Sequence, residues 1–131
     1  MLEKVGLGYL QLGQSLDTLS GGESQRLTLA SELMKPVKGI TLYLFEEPST
    51  GLHFRDIGYL TKLFHELADL GHTLLVIEHD PDIMVHADWI IDLGPAGGDQ
   101  GGNVVAQGTL ADIVKNERSV TGNYLKKLMH E

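Results

Sequence analysis

Apolar and polar positions alternate along the chain in a way that divides it into a short series of elements. Residues 1–19 place apolar side chains at Leu2, Val5, Leu7, Tyr9, Leu10 and Leu12, but Gly6, Gly8 and Gly13 interrupt any helix. A short helix or irregular segment running into a loop is expected there. After Ser20-Gly21-Gly22-Glu23, the residues Leu27, Leu29, Ala30, Leu33 and Met34 approach the i, i+3, i+4, i+7 pattern and predict a helix over 22–34, stopped by Pro36 and Gly39. Ser20 and Glu23 have the spacing of a capping box. Ile40 to Phe45 is apolar on both faces apart from Thr41, which predicts a strand buried between layers of helix. From Phe54 to Leu70 the apolar positions keep helical spacing, and Gly71 sits where a C-terminal cap belongs. Residues 73–77 predict a second strand, 81–85 a short helix with proline in its first turn, and 89–93 a third strand. Strand, helix, strand, helix, strand predicts a parallel sheet with right-handed crossovers. Beyond it, 94–102 is a loop by composition, 103–107 a short strand turning back along a sheet edge, and 109–115 and 122–129 two small helices.

With 131 residues and 14.3 kDa there is material for one domain, expected to fold as a single unit. Eighteen acidic against ten basic residues give a net charge of −8, which argues against nucleic-acid binding by bulk electrostatics. No apolar run approaches the roughly 18 residues that cross a bilayer, so no membrane contact is expected. The N-terminal residues lack a basic region followed by an apolar stretch, and a cytoplasmic location is expected. Zero cysteines exclude disulfides and thiolate zinc sites.

Three segments concentrate the candidate chemistry. In Leu19-Ser20-Gly21-Gly22-Glu23-Ser24-Gln25-Arg26, glycines precede a helix N-terminus, where free N–H groups and the positive dipole end suit an anion. An N-capped helix after a flexible loop explains the same residues. The second segment, Thr41 to His53, delivers Glu46 and Glu47 at the carboxyl end of a strand, where open α/β sheets bind ligands. One carboxylate suits a Mg²⁺ ion and the other an attacking water, whereas a solvated glutamate pair is the plain alternative. In the third, Val76 to Asp80, His79 stands ready to donate to a phosphate oxygen or merely to cap the helix at Pro81.

Taken in order, LSGGESQR, LYLFEEPSTGLH and VIEHD resemble the signature motif, the Walker B motif with its D-loop, and the switch histidine of ABC-type ATPases. VGLGYLQLGQ ahead of the signature, the histidine of STGLH, and IIDLGPAGGDQGGNVVAQGT are similar to the C-terminal part of the UvrA-like members, which work in the bacterial UvrABC excinuclease. The resemblance runs over about residues 2–129. It implies an α/β, P-loop NTPase-like half-domain with a parallel sheet, lacking the P-loop strand and carrying a helical signature segment. Residues 1–131 would then be one C-terminal portion of a nucleotide-binding domain, with the signature helix in 1–36 and the Walker B and switch-histidine part in 37–131.

By the same resemblance, Ser20, Gly21, Gly22, Glu23 and Gln25 would form the signature contact to the γ-phosphate of a nucleotide held by another ATPase domain. Glu47 would act on the attacking water and His79 would sense the γ-phosphate. Glu46 would stand in the metal position, and Ser49, Thr50 and Gly51 would form the D-loop between paired sites. The implied role is a share of a composite ATP site in nucleotide excision repair. The alternatives are a non-catalytic remnant or interaction module of the same fold, or a piece of an ABC ATPase of export or drug resistance. The implied cofactors are ATP and Mg²⁺ in a complemented or full-length context, with no zinc in this chain. The implied partners are a complementary ATPase half or further copies of the chain, and, by resemblance only, DNA and the excinuclease B subunit.

Two departures stand out. No G-x-x-x-x-G-K-[ST] occurs, so the cradle and lysine for ATP phosphates are missing and the chain alone is expected not to hold ATP tightly. The metal position is ordinarily Asp, and Glu46 moves its carboxylate outward by ~1.5 Å. The absent P-loop strand would leave a gap between the strands at 73–77 and 89–93, to be filled by another chain, by dimerisation, or by the strand at 89–93 moving across.

Overall fold

The computed structural model describes residues 2–11, 13–34, 39–94 and 101–129; the side chains of Gln25, Glu32 and Arg55 lie outside that description. The described residues gather into two compact units, 1–80 and 81–131.

The first unit opens with 3-10 turns at Leu2–Val5 and Leu16–Thr18, as the interrupting glycines require. Helix α1 follows over Gly21–Leu33. Its capping box is formed: the Glu23 N–H donates to Ser20 Oγ at 3.2 Å, and the Ser20 N–H donates to Glu23 Oε2 at 2.7 Å. Strand β1 (Leu42–Glu46) pairs in parallel with β2 (Thr73–Ile77), with Leu44 opposite Leu75 and Glu46 opposite Ile77. Between them runs α2, Phe54–Asp69. Its buried stripe of Ile57, Leu60, Leu63 and Leu67 has helical spacing, and the Phe64 ring lies 5.1 Å from that of Phe45 on β1. Gly71 takes the left-handed conformation just past α2, at φ 86°, where a side chain would be strained. Val5 and Leu7, both fully buried, complete this core.

The second unit contains α3 (Pro81–Met84), β3 (Ile90–Gly94), β4 (Asn103–Gly108), α4 (Leu110–Lys115) and α5 (Val120–Leu128). Strands β3 and β4 are antiparallel, with an irregularity between Asp92 and Leu93. Ile90, Ala106 and Ile113 form the centre of this unit with Leu110 against them. The two small helices are capped by Thr109 and Ser119. Hydroxyls of Ser119 and Thr121 donate to the two oxygens of Asp92 at 2.6 and 2.7 Å, which fastens the start of α5 to β3.

The structure differs from the sequence expectation in two respects. The parallel sheet among the described residues is the β1–β2 pair, while β3 is engaged by β4 in an antiparallel pair. Strand β1 is not sandwiched between helical layers: Tyr43 and Phe45 face α2, whereas Leu42 and Leu44 are 60% and 67% exposed. Leu75 and Ile77 on β2 are 52% and 62% exposed on the same face. An all-apolar strand demands cover on two sides, and the described residues supply it on one.

Candidate functional site

The sequence-predicted groups of the first unit gather around one turn, residues 48–51. It begins where β1 ends. Glu46 is the last residue of the strand, and Glu47 leaves it: its backbone takes φ 46°, the left-handed region that a side chain rarely occupies. The side-chain alternation of the strand thus ends at Glu46. The Glu47 N–H donates to the Ile77 carbonyl at 2.8 Å, and the Thr50 N–H donates back to the Glu47 carbonyl at 3.0 Å. These two bonds hold the unusual conformation in place.

The turn fixes Glu47 opposite the end of β2. Its Oε1 stands 3.7 Å from His79 Nδ1, and its Oε2 stands 3.5 Å from the Thr50 hydroxyl. Both side chains are open to solvent. A carboxylate beside an imidazole at the carboxyl edge of a parallel strand pair is equipped to orient water and to contact an anion.

On its other side the turn meets α1. Arg26, only 1% exposed, donates from Nη1 to the carbonyls of Pro48 at 2.9 Å and Thr50 at 3.2 Å. Its Nε and Nη2 have no partner among the described residues. Burial pulls its pKa down, and nearby Tyr9, Glu23 and Asp56 oppose that pull. Gly22 lies so close that a Cβ there would meet the Thr50 carbonyl oxygen at 2.6 Å. Gly21, one residue earlier, has open space where a Cβ would be. The two glycines therefore do different things: Gly22 lets α1 approach the turn, and Gly21 leaves the helix N-terminus accessible.

Glu23 is occupied by local contacts. One oxygen takes the Ser20 N–H, and the other takes the Tyr9 hydroxyl, the first cause that holds its carboxyl below the usual range. Ser20 Oγ is engaged by the Glu23 N–H. Gln25 sits on α1 with its side chain outside the description. Gly51 takes φ 76°, which only glycine adopts freely. The exposed His53 sets its ring 4.3 Å from that of Phe54, tilted by 37°, at the start of α2.

Glu46 reaches solvent at the end of β1. Mg²⁺ takes one or two carboxylates and completes its octahedron with water and phosphate oxygens, so one glutamate at this edge fits the ion's demand on the protein. No group of three or more His, Asp or Glu side chains suited to a metal occurs among the described residues.

Two groups at this site had no role in the sequence reading. Arg26 lies in the signature run, but an apolar template passes over an arginine that faces inward. Glu78 directly precedes His79; its carboxylate accepts the N–H groups of Ser49, His79 and Asp80. The one sequence signal for it is a glutamate closing an apolar strand.

No family model matches the chain. Its sequence is 54% identical over 128 residues to the UvrABC system protein A of Mesorhizobium japonicum, covering 98% of this chain and 13% of that protein. To the UvrABC system protein A of Rickettsia conorii it is 56% identical, with the same coverage. The chain thus spans about 13% of the length of these relatives. In fold it is similar to UvrA2 from Deinococcus radiodurans, at a TM-score of 0.89 and 45% identity over 96% of this chain and 16% of that one. A structure from work on ATP-driven dimerization of SMC ATPases shares the fold at a TM-score of 0.56 and 21% identity, covering 89% of this chain and 68% of that one. No helix among the described residues is long and apolar enough to cross a membrane. The chain therefore corresponds to the C-terminal part of a UvrA-like protein.

Proposed function

We propose that this chain supplies part of a composite ATP site, in which the nucleotide is gripped by other ATPase segments. The observation behind this reading is the turn at 48–51, which joins the α1 N-terminus on one side to the Glu47–His79 pair on the other. The signature end offers the backbone N–H groups of Gly21 and Gly22 and the positive helix end to the γ-phosphate of a nucleotide on a neighbouring ATPase domain, with Ser20 held in the cap beside them. Glu23 serves that end as its cap. The second set faces a nucleotide on a complementary half that carries the P-loop. There Glu47 accepts a hydrogen bond from the attacking water and orients it, and His79 donates to a terminal phosphate oxygen. When bound, Mg²⁺ neutralises phosphate charge, and Glu46 is the residue that would hold it, directly or through water. Ser49, Thr50 and Gly51 lie between the two sets and are placed to pass a change at one to the other.

The apolar face of β1 and β2 supports the same reading. Leu42, Leu44, Leu75 and Ile77 present a surface that a complementary half, or a second copy of the chain, would cover. The process is the DNA damage recognition of nucleotide excision repair, in the cytoplasm, with DNA and the excinuclease B subunit as further partners. This rests on the relationship to UvrABC system protein A.

An ATPase assay of the chain mixed with a P-loop-bearing half of a UvrA-like protein tests it. Hydrolysis should appear on mixing and vanish with Glu47→Gln. A mixture that assembles yet hydrolyses nothing, or one indifferent to Glu47→Gln, would overturn composite catalysis. That result would favour the non-catalytic module suggested by the missing P-loop motif.

A further inference from the structure

Glu78 has no assigned part in the chemistry, yet more of the site's backbone converges on it than on any group named above. It follows the last residue of β2 and is half-buried. Oε1 accepts the Ser49 N–H at 2.9 Å, and Oε2 accepts the N–H groups of His79 at 2.9 Å and Asp80 at 3.1 Å. One carboxylate thereby joins the turn after β1 to the segment after β2, across 29 residues of sequence. Burial by itself would raise the Glu78 pKa; the hydrogen bonds from Ser49, Asp80 and His79 outweigh it and hold the carboxyl below its usual range. The charged form is thus the one the site is built around.

We propose that Glu78 is a positioning residue: it clasps the Ser49 turn and the His79 backbone together, and by doing so sets the approach of His79 to Glu47. The proposal rests on the reading that Glu47 and His79 face a nucleotide, but its physical content is testable without one. Because the Ser49 turn is also held by Arg26 through Pro48 and Thr50, a shift at Glu78 is expected to reach the signature helix by the same route. Glu78→Gln keeps the volume, but its amide NH₂ must turn toward N–H donors on one side or the other. It can therefore satisfy the Ser49 bond or the His79–Asp80 bonds, but not both.

The test is carried out by NMR on the isotopically labelled chain. In the native protein, the amide signals of Ser49, His79 and Asp80 should titrate with one common midpoint, equal to that of the Glu78 carboxyl carbon and below 4.5. In Glu78→Gln, hydrogen exchange at Ser49 or at His79 should quicken about tenfold or more, while the Leu60 and Leu67 amides of α2 keep their protection. A Glu47→Gln change should shift the His79 ring signals in the native background and cease to do so alongside Glu78→Gln, which loss of general stability would not produce. Separate midpoints for Ser49 and His79 in the unaltered chain, or unchanged exchange in the variant, would overturn the proposal. The titration decides the question even if the variant fails to fold. In the complemented ATPase, Glu78→Gln should lower kcat about tenfold with little change in KM, the mark of a misplaced group rather than lost binding. If the unaltered mixture shows no hydrolysis, composite catalysis fails while the NMR measurements still decide the role of Glu78.

Discussion

Gly21 and Gly22 are neighbours in sequence and opposites in surroundings, so the same substitution should have different effects. Gly22→Ala drives a Cβ against the Thr50 carbonyl, a backbone atom that cannot step aside, and is expected to destabilise the chain by about 1–3 kcal/mol in urea unfolding. Gly21→Ala meets nothing and should leave the unfolding midpoint unchanged or slightly raised, yet reduce hydrolysis in the complemented assay by crowding the helix N-terminus. Arg26→Met removes the bonds to Pro48 and Thr50 and should cost about 1–3 kcal/mol, read by the same unfolding measurement. Acid should weaken the chain in a predictable window. Glu23, through the Tyr9 hydroxyl, and Glu78, through bonds that outweigh its burial, both have folded-state pKa values below 4.5. Their stabilising share is complete above that value and is lost as pH falls through the folded-state values. Urea midpoints should therefore drop on acidification below 4.5, and Glu78→Gln should make that drop smaller.

At the scale of elements, the apolar patterning located each α-helix and strand to within about two residues, because α2, β2 and the caps at Ser20 and Gly71 are local in origin, whereas the 3-10 turn at Leu16–Thr18 lay in a stretch read as loop. The buried face of α1 was less legible. Gly22, Arg26, Leu29 and Ala30 compose it, and a glycine and an arginine have no weight in a hydrophobic template. The left-handed turn at Glu47 was equally hidden, since nothing in Glu-Glu-Pro specifies it. It is imposed by the bonds from Glu47 to Ile77 and from Thr50 to Glu47, whose partners come together only in the fold. Of the candidate site, the motif residues were readable, whereas Glu78 and Arg26 emerged from distances that cross 22 to 29 positions of chain. In the second unit, Ser119 both caps α5 and bonds Asp92. Ser119→Ala should accordingly cost about 1–2 kcal/mol, at the upper end for a cap, by thermal unfolding.

For the whole molecule, the exposed side of the β1–β2 pair is expected to govern association in solution. A protein fold that leaves Leu42, Leu44, Leu75 and Ile77 in water has one side of its sheet unfinished, whatever chemistry its loops support. Leu44→Lys with Leu75→Glu should raise the concentration at which the chain stays monodisperse by light scattering, with little loss in unfolding free energy, because neither side chain lies in the core. The same pair should abolish complementation by a P-loop-bearing half. An exposed leucine surface of this kind also sets a limit on handling: the share of chain that stays dispersed should fall as concentration rises, and fall faster in sulfate, which strengthens apolar association.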